Sequence, residues 1–307
     1  HDENPEIVRA HELGIPVMER AEAWGHIMRD YDNVVCLSGT HGKTTSTSMM
    51  TMMTIEAQMD PTVMVGSNLP AIGGTLRIGG KGCFVAESCE YTNSFLRFAP
   101  TVSVILNVEE DHLDFFKDIN DIIHSFHEFA ELTPMNGLVV VNHDDPNAMR
   151  AVAHIDRRIR TFGTTSDADV YPTEVRDENG YYRFTVNIDG KEYAKVALSV
   201  PGRHNMLNAL ACCAAAEFLG VPGEAAEKGL NKFTGSSRRF QLVGKMPNGA
   251  TVVDDYAHHP SEMKATLSTA KEMHFDRILC AFQPHTYTRT KALFPEFVDA
   301  LKQCDQA

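Results

Sequence analysis

Residues 33–45, NVVCLSGTHGKTT, are the stretch that decides the fold. The apolar run from Asn33 to Leu37 predicts a buried strand, and Gly39 and Gly42 predict a turn into a helix that starts near Lys43. A strand, a glycine turn and a helix N-terminus aim several N–H groups and the positive end of the helix dipole at one point. This arrangement is suited to binding phosphate groups.

Two side chains of this loop strengthen the prediction. Lys43 supplies a mobile positive charge for the β- and γ-phosphates, and the Thr44 hydroxyl can reach Mg²⁺. The loop departs from the standard phosphate-loop pattern, which has a glycine where this chain has Leu37. A chance Gly-Lys-Thr is the alternative, but the strand before it and the helix after it favour nucleotide binding. The predicted contact residues are Gly39, Thr40, His41, Gly42, Lys43, Thr44 and Thr45.

The rest of the chain predicts an α/β fold. Helical stretches separate further strand-like segments, which are 82–87, 101–108, 137–142 and 158–163. Strands that alternate with helices indicate a mostly parallel sheet with helices on both faces. Residues 170–200 carry Asn-Gly and Asp-Gly turns between alternating segments, which predicts an antiparallel hairpin patch. Beyond an apolar helix at 203–219, segments 251–260 and 277–285 predict two more strands, each followed by a helix.

Composition narrows the functional classes. Apolar residues make up 43 % and charged residues 22 % of the 307 residues, which is typical of a soluble globular protein. The net charge of −13 disfavours nucleic-acid and anionic-membrane partners, and no apolar run approaches the ~20 residues that cross a bilayer. The 7 cysteines lack CxxC spacing, which predicts reduced thiols of a cytoplasmic protein, without disulfides or a zinc site.

Acidic residues follow two of the predicted strands, in AESCEYTNSF (86–95) and NVEEDHLDFF (107–116). Ligands of open α/β sheets gather at the carboxyl ends of strands, so both clusters are expected beside the phosphate loop. Mg²⁺ prefers oxygen ligands, which Glu90 and Thr44 would supply, with Glu87 and Asp111 as supporting partners. The alternative is that these residues are solvated loop charges or helix caps.

The loop GTHGKTT and the segments after it resemble the Mur ligase family of bacterial cell-wall synthesis. The resemblance also rests on the NxxxDH pattern at 107–112 and on GRHNMLNALA at 202–211, and it covers nearly the whole chain. It implies a domain for the UDP-sugar, a central ATPase domain and a Rossmann-like C-terminal domain. We therefore expect a chain incomplete at both ends, with a remnant of the first domain at 1–31, the ATP-binding domain at 32–238 and an incomplete C-terminal domain at 239–307.

The resemblance also implies roles for individual residues. His112 would bind a metal ion beside Glu90, and Arg239 would reach the phosphates across the domain boundary. His204, Asn205 and Asn208 would lie near the adenine, although helix capping by Asn205 is an equal alternative. The expected catalytic residues are Lys43, Glu90 and His112, and the expected substrate-binding residues are Tyr256, His258, His259, His285 and Arg289.

The implied activity is ATP-driven amide formation with Mg²⁺. The alanine-adding branch of the family joins L-alanine to the lactyl carboxylate of UDP-N-acetylmuramic acid through an acyl phosphate. The tripeptide-recycling branch and a non-catalytic ATP-binding fragment are the alternatives; a GTPase would need an NKxD element, which the sequence lacks. We expect the isolated 307 residues to bind Mg·ATP weakly without forming the amide and to expose apolar surface at both ends. We also expect a tendency to associate, with the oligomeric state left open.

Overall fold

One large sheet organises most of the computed structural model, which describes residues 3–307. Its 10 strands run in the order β10-β9-β8-β7-β6-β5-β1-β4-β2-β3. The strands are β1 (Val34–Ser38), β2 (Thr62–Leu69), β3 (Gly74–Arg77), β4 (Phe84–Glu87), β5 (Val102–Ile105), β6 (Leu138–Asn142), β7 (Ile159–Phe162), β8 (Val170–Glu178), β9 (Tyr181–Ile188) and β10 (Lys191–Ala197). Strands β1, β2 and β4–β8 pair in parallel, which confirms the predicted mixed α/β fold.

Helices cover both faces of this sheet. They are α2 (Arg20–Met28), α3 (Lys43–Glu56), α4 (Ile119–Glu131), α5 (Pro146–Ala151), α6 (Arg203–Phe218) and α7 (Gly223–Lys232), whereas α1 (Pro5–Glu12) buries no residue. Alternate residues of β1 point to opposite faces. Val35 and Leu37 pack in a core with α3, α6 and α7, whereas Val34 and Cys36 pack in a second core with α2, α4 and α5.

Helix α3 buries hydroxyl groups as well as methionines. The side chains of Thr47, Ser48 and Thr51 each donate a hydrogen bond to the carbonyl four residues earlier, at 2.8, 2.8 and 2.7 Å. These bonds satisfy buried polar groups within the helix itself. Met49 and Met53 of the same helix are fully buried. The segment after the phosphate loop can therefore lie against the sheet although it is rich in Ser and Thr.

The predicted antiparallel patch is confirmed. Strand β9 pairs antiparallel with β8 and with β10. At the first turn Asn179 and Gly180 have φ of 56° and 83°, and at the second Asp189 and Gly190 have φ of 51° and 76°. Two successive residues with positive φ form the type I′ turn that Asn-Gly and Asp-Gly favour.

Residues 241–307 form a second, smaller unit. It contains β11 (Gln241–Lys245), β12 (Thr251–Asp254), α8 (Pro260–Glu272), α9 (Tyr287–Ala292) and α10 (Phe294–Leu301). Strands β11 and β12 form an antiparallel pair, and Met263, Phe297 and Ala300 form a small core. The prediction of a strand at 277–285 was wrong. Among the described residues its backbone pairs only through an isolated bridge between Leu279 and Gln306, and a strand needs a longer ladder.

The predicted domain limits can be located, although they stay predictions. Residues 233–240 link α7 to β11, and the limit at 238/239 falls within this link. The predicted remnant at 1–31 contains α1 and α2; its residues 1 and 2 lie outside the described part of the chain. Met28 is buried in the core beneath α2. Within residues 3–307, no helix combines the length and apolar character needed to span a membrane.

Candidate active site

The phosphate loop lies between β1 and α3, as predicted, and its shape requires glycine. Gly42 has φ of 83° and Gly39 has φ of 148°, in the region where residues with a Cβ are strained. A Cβ on Gly42 would lie 2.7 Å from Oδ1 of Asn208, and one on Gly39 would lie 2.9 Å from Cβ of Leu106. The loop therefore fits closely against the start of α6 and the end of β5.

Asn107, two residues after the end of β5, holds the loop in place. Its Oδ1 accepts a hydrogen bond from the backbone N of His41 at 2.7 Å, and its Nδ2 donates to the His41 carbonyl at 3.1 Å. Its own carbonyl accepts from the backbone N of Thr40 at 3.1 Å. Asn107 was not predicted as a site residue, although a polar residue at the carboxyl end of a parallel strand was an available signal.

Lys43 is the central cation of the loop. Its Nζ donates to the carbonyl of Gly39 at 2.5 Å and to that of Thr40 at 3.1 Å, and it lies 3.0 Å from Oε2 of Glu90. Burial by itself would lower the pKa of Lys43, but the charge of Glu90 outweighs this and the pKa lies above its ordinary value. Lys43 is therefore charged and lies where phosphate oxygens could replace Glu90 as its partner.

The three predicted metal ligands and Glu87 form two adjacent pairs. Nε2 of His112 lies 3.7 Å from Oε1 of Glu90, so these two ligands are brought together. The Thr44 hydroxyl instead donates to Oε1 of Glu87 at 3.1 Å, and Oε2 of Glu87 accepts from the backbone N of Gly66 at 2.7 Å. Glu87 thus orients Thr44, and its supporting role at a metal ion stays a prediction. The ligand set of Thr44, Glu90 and His112 stays a prediction.

His112 is held in an unusual backbone conformation. Its φ is 53°, and its backbone N donates to Oδ1 of Asp111 at 2.7 Å. Tyr91 stacks on its ring at a centroid distance of 4.4 Å. Burial lowers the pKa of His112 despite the neighbouring Asp111 and Glu90. A neutral imidazole fixed by stacking is a competent metal ligand.

The residues expected near the adenine lie at the start of α6. Asn205 and Asn208 are buried, and Nδ2 of Asn208 donates to Oδ1 of Asn205 at 3.2 Å. Nδ2 of Asn205 donates to the carbonyl of Pro201 at 2.7 Å. Gly202 is the N-cap of α6, so Asn205 does not cap this helix. Together with His204, both asparagines line a cavity of about 240 Å³ that also borders the phosphate loop.

The link at 233–240 and the second unit form the opposite wall of this cavity. Nη2 of Arg239 donates to the Thr44 hydroxyl at 3.3 Å, so Arg239 reaches the phosphate loop. Arg238 instead stacks on Tyr256 at 4.7 Å and pairs with Asp254 at 3.4 Å. This difference is consistent with the expectation that Arg239 contacts phosphate and Arg238 does not.

A charged cluster joins the phosphate loop to α8. The ring nitrogens of His41 are buried without hydrogen bonds in the described structure, but Nε2 lies 3.4 Å from Glu109 and Nδ1 lies 3.4 Å from Glu262. Burial by itself would lower the pKa of His41, whereas these two carboxylates raise it to about 9. The contacts lower the pKa of Glu109 to about 2. Ser261 also donates to Glu109. Neither Glu109 nor Glu262 was predicted as a site residue.

His259 belongs to this junction. Its Nδ1 accepts a hydrogen bond from the backbone N of Ser261 at 3.3 Å, which caps α8, and its Nε2 lies 3.0 Å from the carbonyl of Glu110. Both ring nitrogens are thus engaged within the protein. In this arrangement His259 does not share a cavity with the other four predicted substrate-binding residues.

Those four residues line a second cavity of about 360 Å³ beside His112, and they are Tyr256, His258, His285 and Arg289. Nε and Nη2 of Arg289 each lie 3.0 Å from Oδ1 of Asp111. Burial by itself would raise the pKa of Asp111, but His112 and Arg289 lower it. Both units therefore bound this cavity, and the ion pair between Arg289 and Asp111 lies in its wall.

Comparison with known proteins identifies the family. Residues 37–216 match the Mur ligase middle domain, and residues 238–307 match the Mur ligase, glutamate ligase domain. The chain belongs to the Mur ligase family. The resemblance stated from the sequence is thereby confirmed.

Individual relatives cover nearly all of this chain. A UDP-N-acetylmuramate–L-alanine ligase of Agathobacter rectalis is 48% identical over 306 residues, which are 99% of this chain and 66% of that protein. The chain thus spans just under two thirds of that relative's length. The crystal structure of the UDP-N-acetylmuramate-alanine ligase MurC from Thermotoga maritima is 30% identical, with a TM-score of 0.83 over 99% of this chain and 68% of that one.

A second kind of ligase is also similar. The structure of UDP-N-acetylmuramate:L-alanyl-gamma-D-glutamyl-meso-diaminopimelate ligase from Neisseria meningitides is 27% identical, with a TM-score of 0.69 over 78% of each chain. Its identity and coverage of this chain are lower than those of the Thermotoga maritima structure.

Proposed function

We propose that this chain carries the ATP site and part of the substrate site of an ATP-dependent ligase that joins L-alanine to the lactyl carboxylate of UDP-N-acetylmuramic acid. One observation carries the proposal: Arg239, in the link that leads into the second unit, contacts Thr44 of the phosphate loop at 3.3 Å. The entry to the second unit thus meets the phosphate loop where a γ-phosphate would lie. The identities to alanine ligases support alanine as the amino acid.

ATP would bind in the cavity between α6 and the second unit. The backbone N–H groups at the start of α3 and the Lys43 ammonium would hold the phosphates. The amide groups of Asn205 and Asn208 can offer both donors and acceptors to the adenine edge. ATP phosphates would then replace Glu90 as the partner of Lys43.

The residues present fit a magnesium ion. Glu90 is only 2% exposed, and among the described residues its carboxylate is balanced by Lys43 and faced by His112. When Lys43 turns to the phosphates, this buried carboxylate needs another cation. Thr44, Glu90 and His112 would hold Mg²⁺, which would neutralise charge on the phosphates.

The first chemical step is phosphoryl transfer. A lactyl carboxylate oxygen attacks the γ-phosphorus of ATP, the bond to the β–γ bridging oxygen breaks, and an acyl phosphate and ADP form. Negative charge spreads over the transferring group, and Lys43 and Arg239 would stabilise it from the loop and from the link that leads into the second unit. Most of the rate enhancement would come from this charge stabilisation and from positioning.

The second step is amide formation. The neutral amine of alanine attacks the acyl carbon, a tetrahedral intermediate expels inorganic phosphate, and the amine proton is released. Arg289 would hold the alanine carboxylate: its Nε and Nη2 face Asp111, whereas no hydrogen bond from its Nη1 is found within residues 3–307. Tyr256, His258 and His285 would surround the amino acid.

The proposal is tested by ADP release from the natural full-length polypeptide. With ATP, Mg²⁺ and UDP-N-acetylmuramic acid present, we expect ADP release that depends on L-alanine, and mass spectrometry should find the UDP-muramoyl-alanine product. ADP release without any dependence on an amino acid or peptide would refute a ligase. ATP binding without turnover would favour the non-catalytic alternative.

The same assay distinguishes an alanine ligase from a tripeptide ligase, the alternative that the similarity to the Neisseria enzyme keeps open. The assay is repeated with the tripeptide L-alanyl-γ-D-glutamyl-meso-diaminopimelate in place of alanine. We expect a much higher kcat/KM for alanine. The reverse ranking would assign the chain to the recycling branch.

A further inference from the structure

A thiol lies among the proposed magnesium ligands. Cys89, Glu90 and His112 each offer one ligand atom, and these atoms all lie within 4.8 Å of one another. Cys89 is exposed, whereas four of the other cysteines are buried, namely Cys36, Cys83, Cys212 and Cys213. No zinc site was predicted from the sequence, because the cysteines have no CxxC spacing; ligands from two separate segments, 89–90 and 112, leave no such signal.

This ligand set differs from one that would be selective for Mg²⁺. Mg²⁺ takes oxygen ligands, whereas thiolate and imidazole favour Zn²⁺ and related ions. We propose that Cys89, Glu90 and His112 form a binding site for a thiophilic divalent cation, with Zn²⁺ as the reference ion, and that this ion excludes Mg²⁺ from the active site. The inhibitory part rests on the proposed function, because it takes Glu90 and His112 as magnesium ligands.

The distances suit a small tetrahedral ion. Ligands about 2.0–2.3 Å from such an ion lie roughly 3.3–3.8 Å from each other. Nε2 of His112 lies 3.7 Å from Oε1 of Glu90 and also 3.7 Å from Oδ2 of Asp111. Tyr91 holds the His112 ring by stacking, and its hydroxyl donates to Asp114 at 2.9 Å. Two of the three ligands are therefore positioned before an ion arrives, and the thiol completes the set.

Lys43 competes for the same carboxylate. Its Nζ lies 3.2 and 3.0 Å from the two Glu90 oxygens, so an incoming ion must displace an internal cation. Removing the Lys43 charge should therefore tighten binding of the thiophilic ion. If Cys89 were only a surface thiol that bound the ion without Glu90, removal of the Lys43 charge would not change the affinity for the ion.

Cobalt binding tests the site without requiring catalysis. Co²⁺ is titrated into the natural protein, free of Mg²⁺ and with a non-thiol reductant, and the near-ultraviolet thiolate-to-cobalt charge-transfer band is measured. We expect a band that saturates at one ion and that Zn²⁺ abolishes by displacement. Cys89→Ser should lose the band and bind Co²⁺ at least about tenfold more weakly, since loss of even a supporting partner weakens metal sites ~10–100-fold. Lys43→Met should keep the band and bind more tightly.

The chain offers a matched control. Cys280 and Cys304 are neighbouring, half-buried thiols in the second unit and could give a band of their own. Cys280→Ser should therefore keep the wild-type band. The cluster of His41, Glu109 and His259 contains no sulfur and cannot produce it. A wild-type protein without the band, or a band lost in Cys280→Ser and retained in Cys89→Ser, would overturn the proposal.

A second arm measures inhibition. Zn²⁺ is titrated into the alanine-dependent ADP-release assay, and each rate is divided by the same variant's rate without Zn²⁺. We expect added Mg²⁺ to relieve the inhibition and Cys89→Asp to need at least about tenfold more Zn²⁺. Equal zinc sensitivity of wild type and Cys89→Asp would refute the inhibitory role. A cobalt band without any ADP release would refute the proposed function and leave the metal site standing.

Discussion

His41→Asn should remove a pH-dependent contribution to stability from the junction between the two units. The two carboxylates beside His41 raise its pKa from 6.5 to about 9. At about 1.4 kcal/mol for each tenfold change in proton affinity, this corresponds to ~3 kcal/mol. The lowered pKa of Glu109 arises from the same contact with His41, so its free energy is not added to the ~3 kcal/mol. The His41 side chain is only 16% exposed, so solvent screening is limited.

The sign of the effect follows from the raised pKa. The contribution is fully present below pH 6.5, where both folded and unfolded states bind the proton, and it is lost as the pH rises through about 9. Urea denaturation of wild type and His41→Asn between pH 6 and pH 9.5 measures it. We expect wild type to be more stable by ~2–3 kcal/mol at the low end, with the difference shrinking towards the high end.

The comparison has an internal control. Asparagine keeps the backbone N–H and carbonyl that bond Asn107 and removes only the imidazole charge. His124→Asn provides a matched variant, because His124 on α4 is 68% exposed and faces Glu128 at 3.8 Å. It should change stability little at any pH. A stability difference for His41→Asn that stays constant across the pH range would refute the reasoning.

Three further predictions concern the active site. Glu90→Gln and His112→Asn should each weaken Mg²⁺-dependent turnover more than ATP binding without Mg²⁺, measured by calorimetry; equal losses would contradict metal binding there. Arg239→Ala should lower kcat about 10²-fold, as loss of a transition-state donor does, whereas Arg238→Ala should stay near wild type in the same ADP-release assay. Asn107→Ala removes two hydrogen bonds worth ~1 kcal/mol each and should weaken ATP binding roughly tenfold to thirtyfold; unchanged affinity would show that Asn107 does not position the loop.

The large sheet was predictable because its signals are local. The apolar strands, the glycine loop and the Asn-Gly and Asp-Gly turns each specify backbone conformation within a few residues. Strands β2 and β3 were not predicted, because Gly66, Ser67 and Asn68 interrupt the apolar residues of β2. The strand expected at 277–285 failed for a different reason. A strand needs hydrogen bonds to a neighbouring strand, and in the described structure this segment has only one β-bridge, between Leu279 and Gln306.

The contacts between the two units were not predictable from local pattern. Arg289 and Asp111 are 178 residues apart in sequence, and His41 meets Glu262 only because α8 lies against the phosphate loop. Such pairs depend on how the units pack, which no periodicity in the sequence encodes. The residue types at the site were nevertheless recognisable, since Lys43 and His112 stand in short motifs at the carboxyl ends of strands. The sequence therefore indicated which residue types form the site better than it indicated which residues contact each other there.

The central claim is that Lys43 is the cation that holds the ATP phosphates. Because Lys43 also pairs with the buried Glu90, its removal alone would leave an uncompensated charge and lower stability. Lys43→Met is therefore studied together with the double variant Lys43→Met/Glu90→Gln, which removes both charges, and with Glu90→Gln alone. Thermal unfolding identifies which variants keep the fold.

The most direct measurement is ATP affinity in the absence of Mg²⁺, by calorimetry, on the variants that remain folded. We predict that Glu90→Gln retains ATP binding, because Lys43 stays available. The double variant should lose about 10² in affinity or more, since a buried charge-assisted contact to phosphate is missing. Wild-type affinity in a folded double variant would contradict the assignment of this loop as the phosphate site.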